Sequence, residues 1–288
     1  MNMRIRELAP HLKNLPDVFQ ACVKPGDGDE NTYAILPDYD ISLDQDEINI
    51  VLREFDAEIQ GALKFVNPLR KRASKLVSAM MWQVPGLFKV ESRYPYFTLK
   101  NKSLSPIYFD LGVLISWPGF MNLVSSLSQI EIDMTLGRVD IIIGGESRGI
   151  PFSTWLSEMM NQSTGFARKE IKAYGTKQGV EGCIIPDDFA VIMEDMITDG
   201  GSKEIFIENV KNAGGVVIAV IVIFDRKQGG EEFLEEKYGI PLISLTDIYT
   251  FLEVGLEDGE LSKEEYGIIM DYLDNPVEWN KKVIAAVC

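Results

Sequence analysis

Hydrophobic positions in the second half of the chain form short unbroken runs that alternate with stretches of helical periodicity. The runs are VDIIIGG (139–145), FAVIMED (189–195), VVIAVIVIFD (216–225) and IPLISL (240–245). Strands that are apolar at nearly every position are buried on both faces, as in a parallel sheet covered by helices. The pattern therefore predicts an α/β fold with a central, mostly parallel sheet flanked by helices.

Helices are predicted on both sides of these runs. Apolar residues recur near helical spacing over 44–66, and a second helix is predicted at PLRKRASKLVSAMMW, since Pro68 suits a first helical turn. GSKEIFIENVKNAGG (201–215) is typical of a crossover helix that ends at paired glycines, and SKEE (262–265) is a capping box.

The chain is long enough to form either one large domain or a domain with an appendage. It has 288 residues, of which 46% are hydrophobic. Residues 24–47 are acidic and rich in Gly, Pro and Asp, which favours loops over packed elements. We therefore expect a partly helical N-terminal extension of unknown role over residues 1–75 and a main domain over residues 76–288.

Composition narrows the class of protein. A net charge of −16 argues against a broad nucleic-acid surface. The absence of a membrane-length apolar run and of a signal-peptide core predicts a cytoplasmic protein that does not enter a membrane. The three cysteines, Cys22, Cys183 and Cys288, are far apart and favour reduced thiols. His11 is the only histidine, so an imidazole-centred site is not expected in the main domain.

The segment VIMEDMITDGGS (191–202) places two acids and a glycine-rich turn directly after an apolar run. Successive backbone N–H groups at a helix start can bind a phosphate. The carboxylates of Glu194 and Asp195 can instead accept hydrogen bonds from the two hydroxyls of a ribose beside it. The alternative is an ordinary strand-to-helix turn with solvated acids.

Two other run ends carry candidate chemistry. GGESRGIP (144–151) has turn-forming glycines and Arg148, but neither the dinucleotide G-x-G-x-x-G spacing nor a Walker loop. FDRKQGG (224–230) places Arg226 after a wholly apolar strand. Because the carboxyl ends of parallel strands meet at one edge of a sheet, we expect these segments to lie close together.

These segments resemble the type I phosphoribosyltransferases. VIMEDMITDGGS is similar to their phosphoribosyl-pyrophosphate (PRPP) signature. FTLKNKSLSPIYFDL (97–111), ARKEIKAYGTKQGVEG (167–182) and FDRKQGG resemble the N-terminal segment, the mobile catalytic loop and the base-binding strand end of orotate phosphoribosyltransferases. The resemblance covers about residues 86–255. It implies the type I phosphoribosyltransferase fold with a small hood, and transfer of the 5-phosphoribosyl group from PRPP to orotate in pyrimidine biosynthesis.

The resemblance also implies the roles of individual residues. The residues expected to contact PRPP are Arg148, Arg168, Lys169, Glu194, Asp195, Thr198, Asp199, Gly200, Gly201 and Ser202. Those expected to contact orotate are Lys100, Phe109, Thr198 and Arg226, and the expected catalytic residues are Lys172, Tyr174 and Asp195. The implied cofactor is Mg²⁺, held mainly by PRPP and pyrophosphate, and the implied assembly is a homodimer whose loop acts across the interface.

Simpler interpretations exist for several of these residues. Arg168, Lys169 and Lys172 fit an ordinary solvated charged stretch, Arg226 fits a cap on the sheet edge, and Phe109 fits a core position. The chain also departs from the family pattern.

Ala173 stands where an acid is usual after the loop lysine, and Tyr174 where some members have histidine. Asn101–Lys102 replaces the usual Ser–Gly, and Gly112 replaces an arginine often found there. Two other functions therefore stay open, a PRPP-binding regulator without turnover and a phosphoribosyltransferase for another base.

Overall fold

The structure, a computed structural model, describes residues 24–25, 33–34, 66–99, 102–170 and 179–287. Most of the helix predicted over residues 44–66 lies outside this part of the chain. In chain order the described elements are β1 (Lys24–Pro25), β2 (Tyr33–Ala34), α1 (Val66–Trp82), β3 (Phe88–Val90), β4 (Phe97–Thr98), β5 (Leu104–Ser105), β6 (Ile107–Phe109), a 3-10 helix (Leu111–Ser116), α2 (Pro118–Thr135), β7 (Ile141–Gly145), α3 (Gly149–Met160), β8 (Ser163–Ala167), β9 (Val180–Glu181), β10 (Phe189–Ile197), α4 (Gly201–Asn212), β11 (Val216–Asp225), α5 (Gly230–Tyr238), β12 (Leu242–Asp247), α6 (Ile248–Glu257), α7 (Lys263–Asp274) and α8 (Pro276–Val287).

The central sheet has six strands in the order β12-β11-β10-β7-β8-β9. Every neighbouring pair is parallel except β8 with the short edge strand β9. The four predicted apolar runs form β7, β10, β11 and β12, so the prediction of a mostly parallel sheet is confirmed.

Helices cover both faces of the sheet because alternate residues of each strand point to opposite sides. In β10, Val191 and Met193 face a core shared with α1, α2, α3 and α6. Ala190 and Ile192 face a second core shared with α4 and α5. A strand in this position must be apolar on both faces, which explains the unbroken run in the sequence.

Small antiparallel strand pairs form a hood beside the sheet. β3 pairs with β6, and β4 pairs with β5. The C-terminal helices α7 and α8 reach this hood, where the Trp279 ring lies 4.8 Å from Tyr96 and 5.3 Å from Tyr272. The predicted capping box is present at the start of α7, between Ser262 and Glu265.

Helix α1 crosses the domain boundary predicted between residues 75 and 76, and that boundary stays a prediction. Its Ser74 and Ser78 hydroxyls bond to Thr246 of β12 at 2.9 and 2.7 Å. The described part of α1 therefore packs directly on the sheet. None of the helices in the described ranges is long and apolar enough to cross a membrane.

Candidate active site

The segments that follow β7, β8, β10 and β11 lie along one edge of the sheet. These strands are neighbours in the order β11-β10-β7-β8, and all four run in the same direction. This edge carries Arg226, the Glu194–Asp195 pair, Arg148 and Arg168 in that order. Lys100, Lys172 and Tyr174 lie outside the described residues.

The turn over residues 198–202 connects β10 to α4. Gly200 has φ 87°, a left-handed conformation that favours glycine. A Cβ on Gly200 would lie 2.4 Å from Cδ1 of Phe233, so packing also excludes a side chain there. The Gly201 N–H donates to Oδ1 of the exposed Asp199 at 3.0 Å. One N–H donor of the predicted phosphate-binding turn is therefore already hydrogen-bonded to the Asp199 carboxylate.

Glu194, the first acid of the pair, is buried and has partners on both oxygens. Its Oε1 accepts the Gly149 N–H at 3.0 Å, and its Oε2 accepts a hydrogen bond from Lys203 Nζ at 2.7 Å. Burial is the larger effect and holds the pKa of Glu194 above its ordinary value, although the charge of Lys203 lowers it. Glu194 is thus part of a buried ion pair beneath the turn.

Asp195, the second acid, is also buried, with 6% of its surface exposed. Its Oδ2 is 3.6 Å from Nη1 of Arg148, while Nη2 of Arg148 donates to Asp110 Oδ1 at 2.8 Å. A Cβ on Gly112 would lie 3.3 Å from Cζ of Arg148. The guanidinium of Arg148 therefore lies close over Gly112.

Arg168 and Lys169 follow β8 and begin the predicted mobile loop. Arg168 donates to Glu181 Oε1 at 2.8 Å and lies 3.7 Å from Glu146 Oε1. The Lys169 side chain is exposed. The Arg168 N–H donates to the Gly179 carbonyl at 2.8 Å, so backbone pairing closes the base of the loop.

The two predicted orotate contacts in the described residues have different surroundings. The Phe109 ring is half-buried and lies 4.8 Å from both Phe88 and Phe224, within an aromatic cluster. Burial lowers the pKa of the Arg226 guanidinium, and a hydrogen bond with Tyr272 raises it in part. Nε of Arg226 has no hydrogen-bond partner among the described residues.

Sequence reasoning missed several residues that touch these side chains, among them Asp110, Lys203 and Tyr272. A signal existed only for Lys203, because a lysine in the first turn of a helix opposes the helix dipole and therefore needs a local partner. Asp110 directly follows Phe109 in the segment 97–111, but no local pattern indicates its pairing with Arg148, and Tyr272 reaches the site from the distant α7.

Comparison with known proteins identifies the class of fold. No protein-family model matches the chain. The structure is similar to the crystal structure of orotate phosphoribosyltransferase from Aeropyrum pernix, with a TM-score of 0.55 and 26% identity, covering 64% of this chain and 99% of that chain. The fold is that of the type I phosphoribosyltransferases, as the sequence predicted.

Relatives in sequence define the family more narrowly. The chain is 32% identical over 193 residues to the orotate phosphoribosyltransferase of Staphylothermus marinus, covering 65% of this chain and 89% of that protein. It is 29% identical over 208 residues to the enzyme of the same name from Listeria monocytogenes serotype 4b (strain F2365), covering 72% and 98%. The chain belongs to the orotate phosphoribosyltransferase family.

Proposed function

We propose that this chain transfers the 5-phosphoribosyl group from PRPP to orotate, forming orotidine 5'-phosphate and pyrophosphate in pyrimidine biosynthesis. The order of side chains along the sheet edge carries the proposal. Asp195 and the phosphate turn follow β10, with Arg226 after β11 on one side and Arg148 and Arg168 after β7 and β8 on the other. The bound base, ribose phosphate and pyrophosphate would have to lie in this same order along the edge of the sheet.

The reaction displaces pyrophosphate from C1 of the ribose by N1 of orotate. As the C1–O bond lengthens, positive charge develops on the ribose and negative charge on the departing pyrophosphate. Arg148, Arg168 and Lys169 are the cations that would stabilise that leaving group, joined by Lys172 of the predicted mobile loop. Asp195 would hold the ribose hydroxyls, and Tyr174 or Lys172 would supply a proton. Loop closure would exclude water and suppress hydrolysis of PRPP.

Mg²⁺ is the proposed cofactor. Within the described ranges, no three His, Cys, Asp or Glu side chains are grouped so that they could hold a metal ion. Oxygen donors suit Mg²⁺, and PRPP itself supplies several, so Asp195 would add at most one carboxylate to a metal held mainly by the substrate. When bound, the ion would neutralise charge on the pyrophosphate.

Binding of PRPP by an acidic protein sets an electrostatic requirement. With a net charge of −16, the chain repels a polyanion unless a compact group of cations offsets the field locally. Arg148 and Arg168 lie on neighbouring strand ends, which fits that need. Asp110 pairs with Arg148 and Glu181 pairs with Arg168, so these carboxylates would have to share the two arginines with the ligand.

A cytoplasmic homodimer is the proposed working form, with Lys172 of one subunit reaching the site of the other. The wide separation of the cysteines and the exposed, unpaired Cys183 fit a reducing compartment. Mixing two inactive variants, one altered at Lys172 and one at Asp195, tests the shared site. Activity recovered on mixing is expected only if the loop crosses between subunits.

A product assay tests the function directly. Purified protein is incubated with PRPP, Mg²⁺ and orotate, and orotidine 5'-phosphate and pyrophosphate are quantified, with uracil and adenine as alternative acceptors. Formation of orotidine 5'-phosphate is expected, with orotate preferred. PRPP binding without any product would instead favour a regulatory protein without turnover. A preference for another base would show that orotate is not the acceptor.

A further inference from the structure

A buried lysine lies directly beneath the phosphate turn. Lys203, in the first turn of α4, is only 3% exposed, and its Nζ donates to Glu194 Oε2 at 2.7 Å and to Ser202 Oγ at 3.3 Å. Both burial and the positive end of the helix dipole oppose a cation here. The position is therefore stable only because Glu194, itself 4% exposed, carries the opposite charge.

The Glu194 carboxylate joins the starts of two helices. Its Oε1 accepts the N–H of Gly149 at the start of α3, and its Oε2 accepts Lys203 at the start of α4. Glycine permits this approach, because a Cβ on Gly149 would lie 2.7 Å from Oε1 and a Cβ on Gly145 would lie 2.7 Å from Cδ. The loop before α3 is the predicted pyrophosphate segment, and the turn before α4 is the predicted 5-phosphate segment.

The charge on Glu194 depends on its neighbours. The charged groups that act on it are Lys203 from α4, Lys169 after β8 and Asp195 on its own strand. Burial and Asp195 raise the pKa of Glu194, while Lys203 and Lys169 lower it. Burial is already the largest of these effects, so removal of Lys203 would raise the pKa of Glu194 further and the carboxyl would take up a proton at a higher pH.

We propose that Lys203 is a positioning residue for PRPP. It keeps Glu194 ionised at neutral pH, and the ionised carboxylate holds the loop before α3 and the turn before α4 at the spacing that the two ends of PRPP require. The inference rests on the proposed function, because PRPP is the ligand that would span both segments. Lys203 acts through Glu194 and not by touching the ligand.

The test replaces Lys203 by methionine, which has a similar volume and no charge. Lys203→Met should weaken PRPP binding by about tenfold at pH 7, measured by calorimetry and as KM, while kcat changes little. Because a rise in pH favours loss of the Glu194 proton, the PRPP affinity of the variant should increase between pH 7 and about pH 9, towards the wild-type value. Lys211→Met, at the exposed end of the same helix, removes the same charge and should leave PRPP binding unchanged.

Two results would overturn the proposal. Unchanged PRPP affinity in Lys203→Met shows that the lysine has no positioning role. A loss of affinity that is equal at pH 7 and pH 9 shows a direct contact with the ligand or a general packing defect.

A measurement on the wild-type protein covers the case in which the variant does not fold. Carboxyl carbon NMR, with the Glu194 signal assigned by Glu194→Gln, should show an ionised carboxylate at neutral pH. A Glu194 carboxyl that titrates above neutral pH in the wild type contradicts the proposal. PRPP binding without orotidine 5'-phosphate formation contradicts the proposed function alone, and a wild-type chain without PRPP affinity contradicts both.

Discussion

The side-chain amide of Asn280 pairs with both backbone groups of Leu104. Its Oδ1 accepts the Leu104 N–H at 2.6 Å, and its Nδ2 donates to the Leu104 carbonyl at 2.9 Å. Asn280 is on α8, and Leu104 begins β5 in the hood, shortly after the predicted orotate contact Lys100 in the sequence. Helix α8 therefore fixes the strand that follows a predicted orotate contact.

Loss of this amide should loosen the hood. Asn280→Ala leaves two backbone groups without their partner and should lower the free energy of unfolding by about 1–3 kcal/mol. If the hairpin contacts orotate, KM for orotate should rise while PRPP affinity stays close to normal. Lys281→Ala, at an exposed neighbour, is the control and should change neither quantity. An equal rise in the dissociation constant for PRPP would show a general loss of structure instead.

Arg226 should select a carboxylated base. A guanidinium can bind a carboxylate through two parallel charge-assisted hydrogen bonds, whereas a lysine offers a point charge. Arg226→Lys should weaken orotate use by roughly 1.5–3 kcal/mol and leave PRPP binding close to normal. The comparison of orotate with uracil as acceptors checks this. No preference for orotate in the wild type, or an unchanged preference in the variant, would make Arg226 a structural residue.

Tyr272 supports Arg226 from α7 and provides a second variant on the same contact. Tyr272 is 3% exposed, and its interaction with the guanidinium raises the Arg226 pKa that burial lowers. Tyr272→Phe keeps the ring packing on Trp279 but removes the hydroxyl. We expect a smaller rise in KM for orotate than in Arg226→Lys, with kcat nearly unchanged. A variant with wild-type KM for orotate would show that the hydroxyl does not orient Arg226.

The fold was predictable because its signals are local. Apolar runs indicated the buried strands, and the SKEE box indicated the start of α7. The predicted end of β10 was less accurate. The strand extends past Asp195 to Ile197, because its parallel pairing with β11 continues as far as Asp225. Pairing with a neighbour is not visible in the periodicity of one strand.

The contacts within the site depend on chain segments that are far apart. Glu194 and Lys203 are 9 residues apart, yet they meet only because the turn folds α4 back over β10. Asn280 reaches Leu104 across 176 residues. Sequence patterns located the candidate residues at strand ends, but the partners of those residues depend on tertiary packing.

Gly200 should be required for packing as well as for backbone conformation. Gly200→Ala forces a Cβ to within 2.4 Å of the Phe233 ring at a residue with φ 87°. We expect a loss of about 2–4 kcal/mol in the free energy of unfolding, from overpacking and from strain. Gly229→Ala is a matched control, because Gly229 has φ 93° at the start of α5 but no atom within 4 Å of its ideal Cβ.

The difference between these two variants measures the contact with Phe233 alone. If both lose the same stability in chemical denaturation, the backbone conformation explains the whole effect. A larger loss in Gly200→Ala is expected, and a Gly200 variant would then weaken PRPP binding partly by moving the turn.

Removal of the charge on Asp199 should strengthen PRPP binding. The carboxylate lies in the phosphate turn, accepts the Gly201 N–H at 3.0 Å and would repel a 5-phosphate bound there. Asp199→Asn keeps an oxygen for that N–H, and because the site is exposed the gain should be about 0.5–1 kcal/mol, or roughly two- to fivefold in affinity. The gain should shrink as salt is added, since screening weakens repulsion between exposed charges. Asp258→Asn, at the end of α6, makes the same change in net charge away from the turn and should have no effect. Calorimetric titration with PRPP at low and high salt distinguishes the outcomes, and weaker binding by Asp199→Asn would show that the carboxylate shapes the turn for its ligand.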